Sequence, residues 1–291
     1  MKLYIFGNGF DLAHGLNTRY SNYRDFILQS NKEKWKIVLE YYPKNHRFWS
    51  DVEHQVCLID ISRFKEMVEA RRMFGIAVSG LDDLLEAIHD SFNSFILDVE
   101  SSLSTKSPYF ELDKDALFLS FNYTTTLETL YQAKRVIHLH NSAEGVALNK
   151  LFRIGKDDCI LGHSPIYADY PFYADSFIGN DKDYIAFRNK TTKKCKEIWD
   201  KYNLNLILLT NQNIINEVVF YGFSFSKADK YYLQQIFLNL PTHKCKYIIY
   251  YHVDYNESQD EKLESIKEKI RYAGGDCNQM TFVNDKAINK I

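Results

Sequence analysis

Apolar residues follow two rhythms along this chain: short unbroken runs, and stripes that return every three or four positions. Leu3-Tyr4-Ile5-Phe6 is an unbroken run and predicts a buried strand. It ends at Gly7-Asn8-Gly9, a turn that needs positive φ or bare backbone. Leu12 and Leu16, four apart, then share one helix face. Helical stripes fill the next stretch. Ser21 is placed to cap a helix carrying Tyr23, Phe26 and Ile27. Trp35, Val38, Leu39 and Tyr42 mark another, ended by Pro43. Ser50-Asp51-Val52-Glu53 reads as a capping box opening a helix to about Arg72. After a break at 73–80, Leu81, Leu84, Leu85, Ile88, Phe92, Phe95 and Val99 predict the clearest helix of the chain, reaching Leu103.

Strand runs then resume at Ala116–Phe121, Arg135–His140, Cys159–Leu161, Glu217–Tyr221, Tyr247–Tyr251 and Met280–Val283. Between them, Thr125-x-x-Glu128 reads as a second capping box, and Ser226-x-x-Asp229 opens a further helix. Helices are also predicted at Lys190–Tyr202 and Asp260–Ala273, the latter closed by Gly274-Gly275. Leu204–Ile215 fits helix or strand. Asn141–Asp158 reads as a flexible connection and Pro165–Gly179 as an aromatic loop. The alternation predicts an α/β, Rossmann-like domain over 1–291: a mostly parallel sheet flanked by helices, with a helical insertion at about 20–110 after the first strand–helix unit.

Composition narrows the classes. With 45% hydrophobic residues in 291, a sizeable core is available. A net charge of −2 gives no electrostatic case for nucleic acid or a membrane surface. The five cysteines are scattered without a Cys-x-x-Cys, so neither a zinc site nor a disulfide framework is expected. Met1 runs directly into the first strand and no apolar run spans a bilayer, so a cytoplasmic protein is expected.

The candidate chemistry gathers where strands end. Gly7-Asn8-Gly9 lacks the third glycine of a dehydrogenase fingerprint: Leu12 stands there, and the next glycine is Gly15. The segment that would hold the second strand is helical in pattern. This favours binding of nucleotide phosphate or ribose over hydride transfer, the alternative being a tight structural turn. Asn122-Tyr123-Thr124, His140-Asn141 and Gly222-Phe223-Ser224 are three more polar or glycine exits. In a parallel sheet such exits share one edge, where ligands bind. His140 is the candidate general base and Asn122 the residue that orients a hydroxyl or water. Gly7, Asn8, Gly9, Phe10, Asp11, Gly15, Gly222 and Ser224 are the candidate nucleotide-binding residues. His163 and Asp229 are secondary candidates. Asp11 also suits the helix dipole, Asp229 a pairing with Ser226, and His14 either phosphate or solvent. His138 and His140 alternate along a strand and point apart, so no metal is expected on them.

Together, "IFGNGFDLAHGLNTRYSNY", "FWSDVE", "LSFNYTTTLETLY", "IHLHN", "ILGH" and "YGFSFSKADKYY" resemble the bacteriophage abortive infection AbiH family, in order and over nearly the whole chain. More distantly, the layout is similar to the sirtuin-like NAD-binding fold, through Gly7, Gly9 and Gly15, Asn122, His140, and Gly222 with Ser224. That resemblance implies NAD or a related nucleotide as ligand and cleavage of its N-glycosidic bond in phage defence. Two departures stand against turnover, Tyr123-Thr124 in place of an acid and Asn141 in place of a glycine, and the missing zinc cysteines stand against protein deacetylation. The alternative is a nucleotide-sensing module without turnover. A homo-oligomer is compatible with either. A nuclease or RNA-directed toxin is disfavoured by the near-neutral charge.

Overall fold

The structure is a computed structural model that describes residues 1–44, 46–56, 59, 66, 69, 73–75, 80–152, 159–163, 182–255 and 257–287. Met1–Thr18, Ile96–Asp157 and Lys194–Ile291 form one unit; Arg19–Phe95 and Asp158–Lys193 form a second. In chain order the described helices are α1 (Asn8–Ala13), α2 (Tyr20–Ser30), α3 (Lys32–Tyr41), α4 (Val52–Gln55), α5 (Leu81–Ser101) and α6 (Thr126–Tyr131). They continue with α7 (Ala143–Phe152), α8 (Lys182–Thr191), α9 (Cys195–Lys201), α10 (Leu204–Asn211), α11 (Lys230–Asn239) and α12 (Gln259–Tyr272).

The first unit is built on strands β1 (Lys2–Phe6), β2 (Leu117–Ser120), β3 (Val136–His138), β4 (Glu217–Tyr221), β5 (Lys246–Tyr251) and β6 (Met280–Asn284). Their order is β3-β2-β1-β4-β5-β6, and all five pairings are parallel. Leu3 faces Leu117 on one side and Val218 on the other. A strand flanked on both edges, in a sheet covered on both faces, is apolar along its buried length, as β1 is from Leu3 to Phe6. On one face Tyr4, Phe6 and Phe118 stack beside Phe10, Leu127 and Tyr131. On the other, Phe220 and Tyr247 meet Phe237 of α11. Phe6, Phe10 and Phe118 are fully buried, each worth roughly 1.5–3 kcal/mol.

The second unit has an aromatic core of its own. Tyr23 packs against Trp49, Phe92 and Phe95, and Tyr42 stacks on Phe48 at 4.0 Å. Asn31 caps α3 by accepting from the Lys34 N–H at 3.0 Å. Lys193 Nζ, wholly buried, pairs with Glu53 at 3.1 Å.

Several expected elements differ. The first 3₁₀ turn ends at Ser50, whose hydroxyl donates to Arg47 O, so the helix starts at Val52 rather than from a Ser50 cap. Arg19, and not Ser21, precedes α2. Cys159–Leu161 is not a strand: the Cys159 N–H donates to Asn93 Oδ1, and the bridge nearby joins His163 to Thr192. That same bridge divides the helix expected at Lys190–Tyr202 into α8 and α9, since Lys193 N–H donates to His163 O. Within Asn141–Asp158, residues Ala143–Phe152 form α7; its Gly145 N–H reaches the hydroxyl of Ser142 and it buries Ala143 and Val146. Leu204–Asn211 is helical. β3 stops at His138, two residues short of expectation. Most of the expected helix from Ile59 to Arg72, and the aromatic loop Pro165–Gly179, lie outside the described residues.

Candidate functional site

Strand order reverses beside β1, and the exits of β2, β1 and β4 lie side by side. In open parallel sheets this is where ligands bind. The glycines here allow two loops to meet. A Cβ on Gly9 would lie 2.6 Å from Gly222 Cα, and one on Gly7 2.7 Å from Gly222 O. Gly222 itself has φ +62, which glycine adopts without penalty. The Gly7 N–H donates to Tyr221 O at 3.1 Å, the Gly9 N–H to Gly222 O at 2.9 Å, and the Phe10 N–H to Gly7 O at 2.9 Å. These three donors are thus engaged within the chain, and of the two readings of the turn the structural one accounts for its bonding.

Beneath the turn lies a buried polar network. Asp11, on α1, is 1% exposed. Its Oδ1 accepts from Thr124 Oγ1 and Thr126 Oγ1, both at 2.9 Å. Burial raises the Asp11 carboxyl to about 7, against the lowering pull of Thr124 and Thr126; Glu100 adds to the rise. A carboxylate therefore does stand against Thr124, supplied across the sheet rather than along the strand exit. Thr125 donates its N–H to Glu100 at 3.0 Å and its hydroxyl to the same carboxylate. Glu128 accepts from His138 Nε2 at 2.8 Å. Thr125 and Glu128 therefore do not form the expected capping box: tertiary partners take both side chains. The other nitrogen of His138 donates to Asn122 O at 3.1 Å. With acceptors at both nitrogens the charged ring is favoured. Burial opposes that charge, but Glu128 outweighs it and the His138 pKa is raised.

His140 lies two residues past β3, 3% exposed, with Nε2 3.9 Å from Asp229 Oδ1. Asp229 also accepts from the Ser226 hydroxyl at 3.0 Å, the local pairing its sequence position suggested. Phe121, Tyr123 and Tyr232 ring His140 at 5.3–6.0 Å between centroids, and Phe121 also contacts Phe223 at 4.7 Å. The β2, β3 and β4 exits therefore share one aromatic wall.

Of the candidate residues, Gly7, Gly9, Asp11, Asn122, His140, Gly222 and Asp229 fall in this region. Asn8 donates its side chain to Thr18 O, and Phe10 is core. Gly15, at φ +69, follows α1, and its carbonyl accepts from Lys106 Nζ. Ser224 is exposed and its carbonyl accepts from Lys269 Nζ. His163 belongs to the second unit. His14 faces neither phosphate nor solvent: it is buried between Phe10 O and Tyr131 OH, and burial lowers its pKa. Glu100, Thr126, Glu128 and His138 were missed as participants. The run Thr124-Thr125-Thr126 was the available signal, three hydroxyls at one strand exit awaiting acceptors. Among the described residues, no group of three or more His, Cys, Asp or Glu side chains is arranged to hold a metal ion. Nor is any described helix long and apolar enough to cross a membrane.

The parallel sheet, its order and the acid–histidine network at its carboxyl edge define an open, Rossmann-like α/β protein. The family model described as Bacteriophage abortive infection AbiH matches residues 3–251. The chain belongs to this family. No curated protein and no solved structure matches it.

Proposed function

We propose that this AbiH chain acts in phage abortive infection by binding NAD or a related nucleotide at the carboxyl edge of β1, β2, β3 and β4, and by hydrolysing its N-glycosidic bond. The observation that carries this reading is His140 set against Asp229 on the same aromatic wall as the exit bearing Asn122. In the reaction, a water oxygen bonds to the ribose C1′ as the bond from C1′ to the nicotinamide nitrogen breaks. Nicotinamide leaves neutral, and the water's proton passes to His140. The imidazolium formed is stabilised by the Asp229 carboxylate. Asn122 holds the water or a ribose hydroxyl in line. Because His140 and Asp229 are both buried, substrate entry requires displacement of whatever covers them.

The second reading is a nucleotide sensor without turnover. It is favoured by Tyr123-Thr124, which stand after Asn122 where the distant resemblance carries an acid. His140→Ala separates the two. Under hydrolysis it abolishes nicotinamide release, followed by chromatography, and leaves NAD affinity intact; under sensing it changes little. Failure of the wild-type protein to release nicotinamide in phage-infected extract overturns the catalytic reading.

A further inference from the structure

A cleft of about 180 Å³ opens where the segment after β4 meets α12. Three lysines line it, Lys227, Lys230 and Lys269, and Glu268 is the one carboxylate beside them among the described residues. On a chain with a net charge of −2 this is a local excess of positive charge. Two of the ammonium groups are held in place. Lys230 Nζ stands 3.6 Å over the centre of the Tyr272 ring, and Lys269 Nζ donates to Ser224 O at 3.2 Å. A ring face and a carbonyl are uncharged, so neither contact neutralises the lysine. Elsewhere on α12, Lys262 and Lys267 reach carboxylates, those of Glu257 and Glu264. Lys227 and Lys230 have no such partner among the described residues. Like charges gathered at one concave surface repel, and an anion placed among them turns that repulsion into attraction. Because Lys230 and Lys269 are already fixed, less side-chain freedom is lost on binding. Lys230 is also the first residue of α11, where the helix dipole adds to the positive potential.

Size and walls narrow the anion. The volume is below the roughly 300–1,000 Å³ of sites that enclose a drug-sized ligand. It admits a phosphate group and a ring beside it, not a dinucleotide. Tyr272 is 50% exposed and offers that ring a stacking surface. We infer that this cleft binds a nucleoside monophosphate, with the phosphate among the three ammonium groups and the base against Tyr272. The inference needs neither NAD binding nor hydrolysis, since neither His140 nor Asn122 lines the cleft. The two regions meet at Ser226, which lines the cleft and whose hydroxyl donates to Asp229, the carboxylate beside His140.

The test is calorimetry on the full chain at low salt, with AMP, adenosine and inorganic phosphate as probes. AMP is expected to bind at one site, more tightly than either of the other two, and more weakly as salt is added. The double variant Lys227→Gln/Lys230→Gln weakens AMP about tenfold or more without changing the melting temperature. Tyr272→Ala weakens AMP and leaves inorganic phosphate unchanged. Lys201→Gln, an exposed lysine outside the cleft, and Asn122→Ala leave AMP affinity as it is. An equal loss in Lys201→Gln means diffuse attraction and overturns the site. A loss in Asn122→Ala with none in the lysine double variant puts AMP at the β2 exit and overturns it as well. So does AMP that binds no better than adenosine or inorganic phosphate. A protein that binds AMP as expected but releases no nicotinamide from NAD rejects the hydrolase reading and keeps this site.

Discussion

Glu128 has the sequence position of a helix-capping residue and the structural position of a partner for His138. The pairing has a measurable consequence. Glu128 holds the His138 pKa above its ordinary value of 6.5 against the effect of burial. The folded state therefore binds that proton more tightly than the unfolded chain. The resulting stabilisation is complete below pH 6.5 and disappears as pH rises through the folded value. Glu128→Gln is expected to drop the His138 pKa below 6.5 by NMR titration. It should also destabilise the fold more at pH 5.5 than at 8.5. The Glu128 side chain is 35% exposed, so solvent screening limits the loss to about 1 kcal/mol. Urea titrations at the two pH values check this; equal losses reject it. His140, Asn122 and Asp11 draw attention in the sequence because they stand at or just past strand ends. Glu100 carries no such signal: it looks like a solvent-facing acid of a helix, and only its tertiary contact with Thr125 draws it inward.

Elements with strong periodicity were legible, and those whose limits depend on distant partners were not. β1, β4 and α5 lie close to where their patterns place them. The sequence pattern predicts a connection where α7 forms, because its start is set by Ser142 and its inward face by Ala143 and Val146, too small a stripe to register. The division between α8 and α9 is imposed by His163, far back in the chain. The turn after β1 was located correctly, yet its glycines serve another loop. Gly9→Ala would set a methyl 2.6 Å from Gly222 Cα, backbone against backbone, with no side chain free to yield. Overpacking of this kind costs about 1–3 kcal/mol. The expected result is a lower urea midpoint with an unchanged slope. Wild-type stability in Gly9→Ala would show that the two loops separate readily.

For the molecule as a whole, alternation of runs and stripes was enough to give a parallel α/β class. Strand order was not legible. The chain after β3 crosses to the far side of β1 to lay down β4, and nothing in the local pattern of Glu217–Tyr221 encodes which neighbour it takes. The grouping of 158–193 with 19–95 is equally hidden, being set by long-range contacts such as Lys193 with Glu53. If the nucleotide reading is right, NAD stabilises the fold by mass action. At a hundredfold excess over the dissociation constant the gain is about 2.7 kcal/mol, a rise of several degrees in melting temperature. Differential scanning fluorimetry across NAD concentrations checks this, and a flat melting temperature rejects NAD as the ligand.

The central place of β1 also bears on synthesis at the ribosome. β1 is made before the other strands of its sheet, yet the edge that takes β4 has no partner until Glu217–Tyr221 is made. At about 5–20 residues per second, the nascent chain carries an open edge for roughly 10–40 s. The close contact of Gly9 with Gly222 can form only after that. A cell making this polypeptide therefore carries no finished copy of the site until β4 and Gly222 have been made, and products that stop before Glu217 lack it altogether.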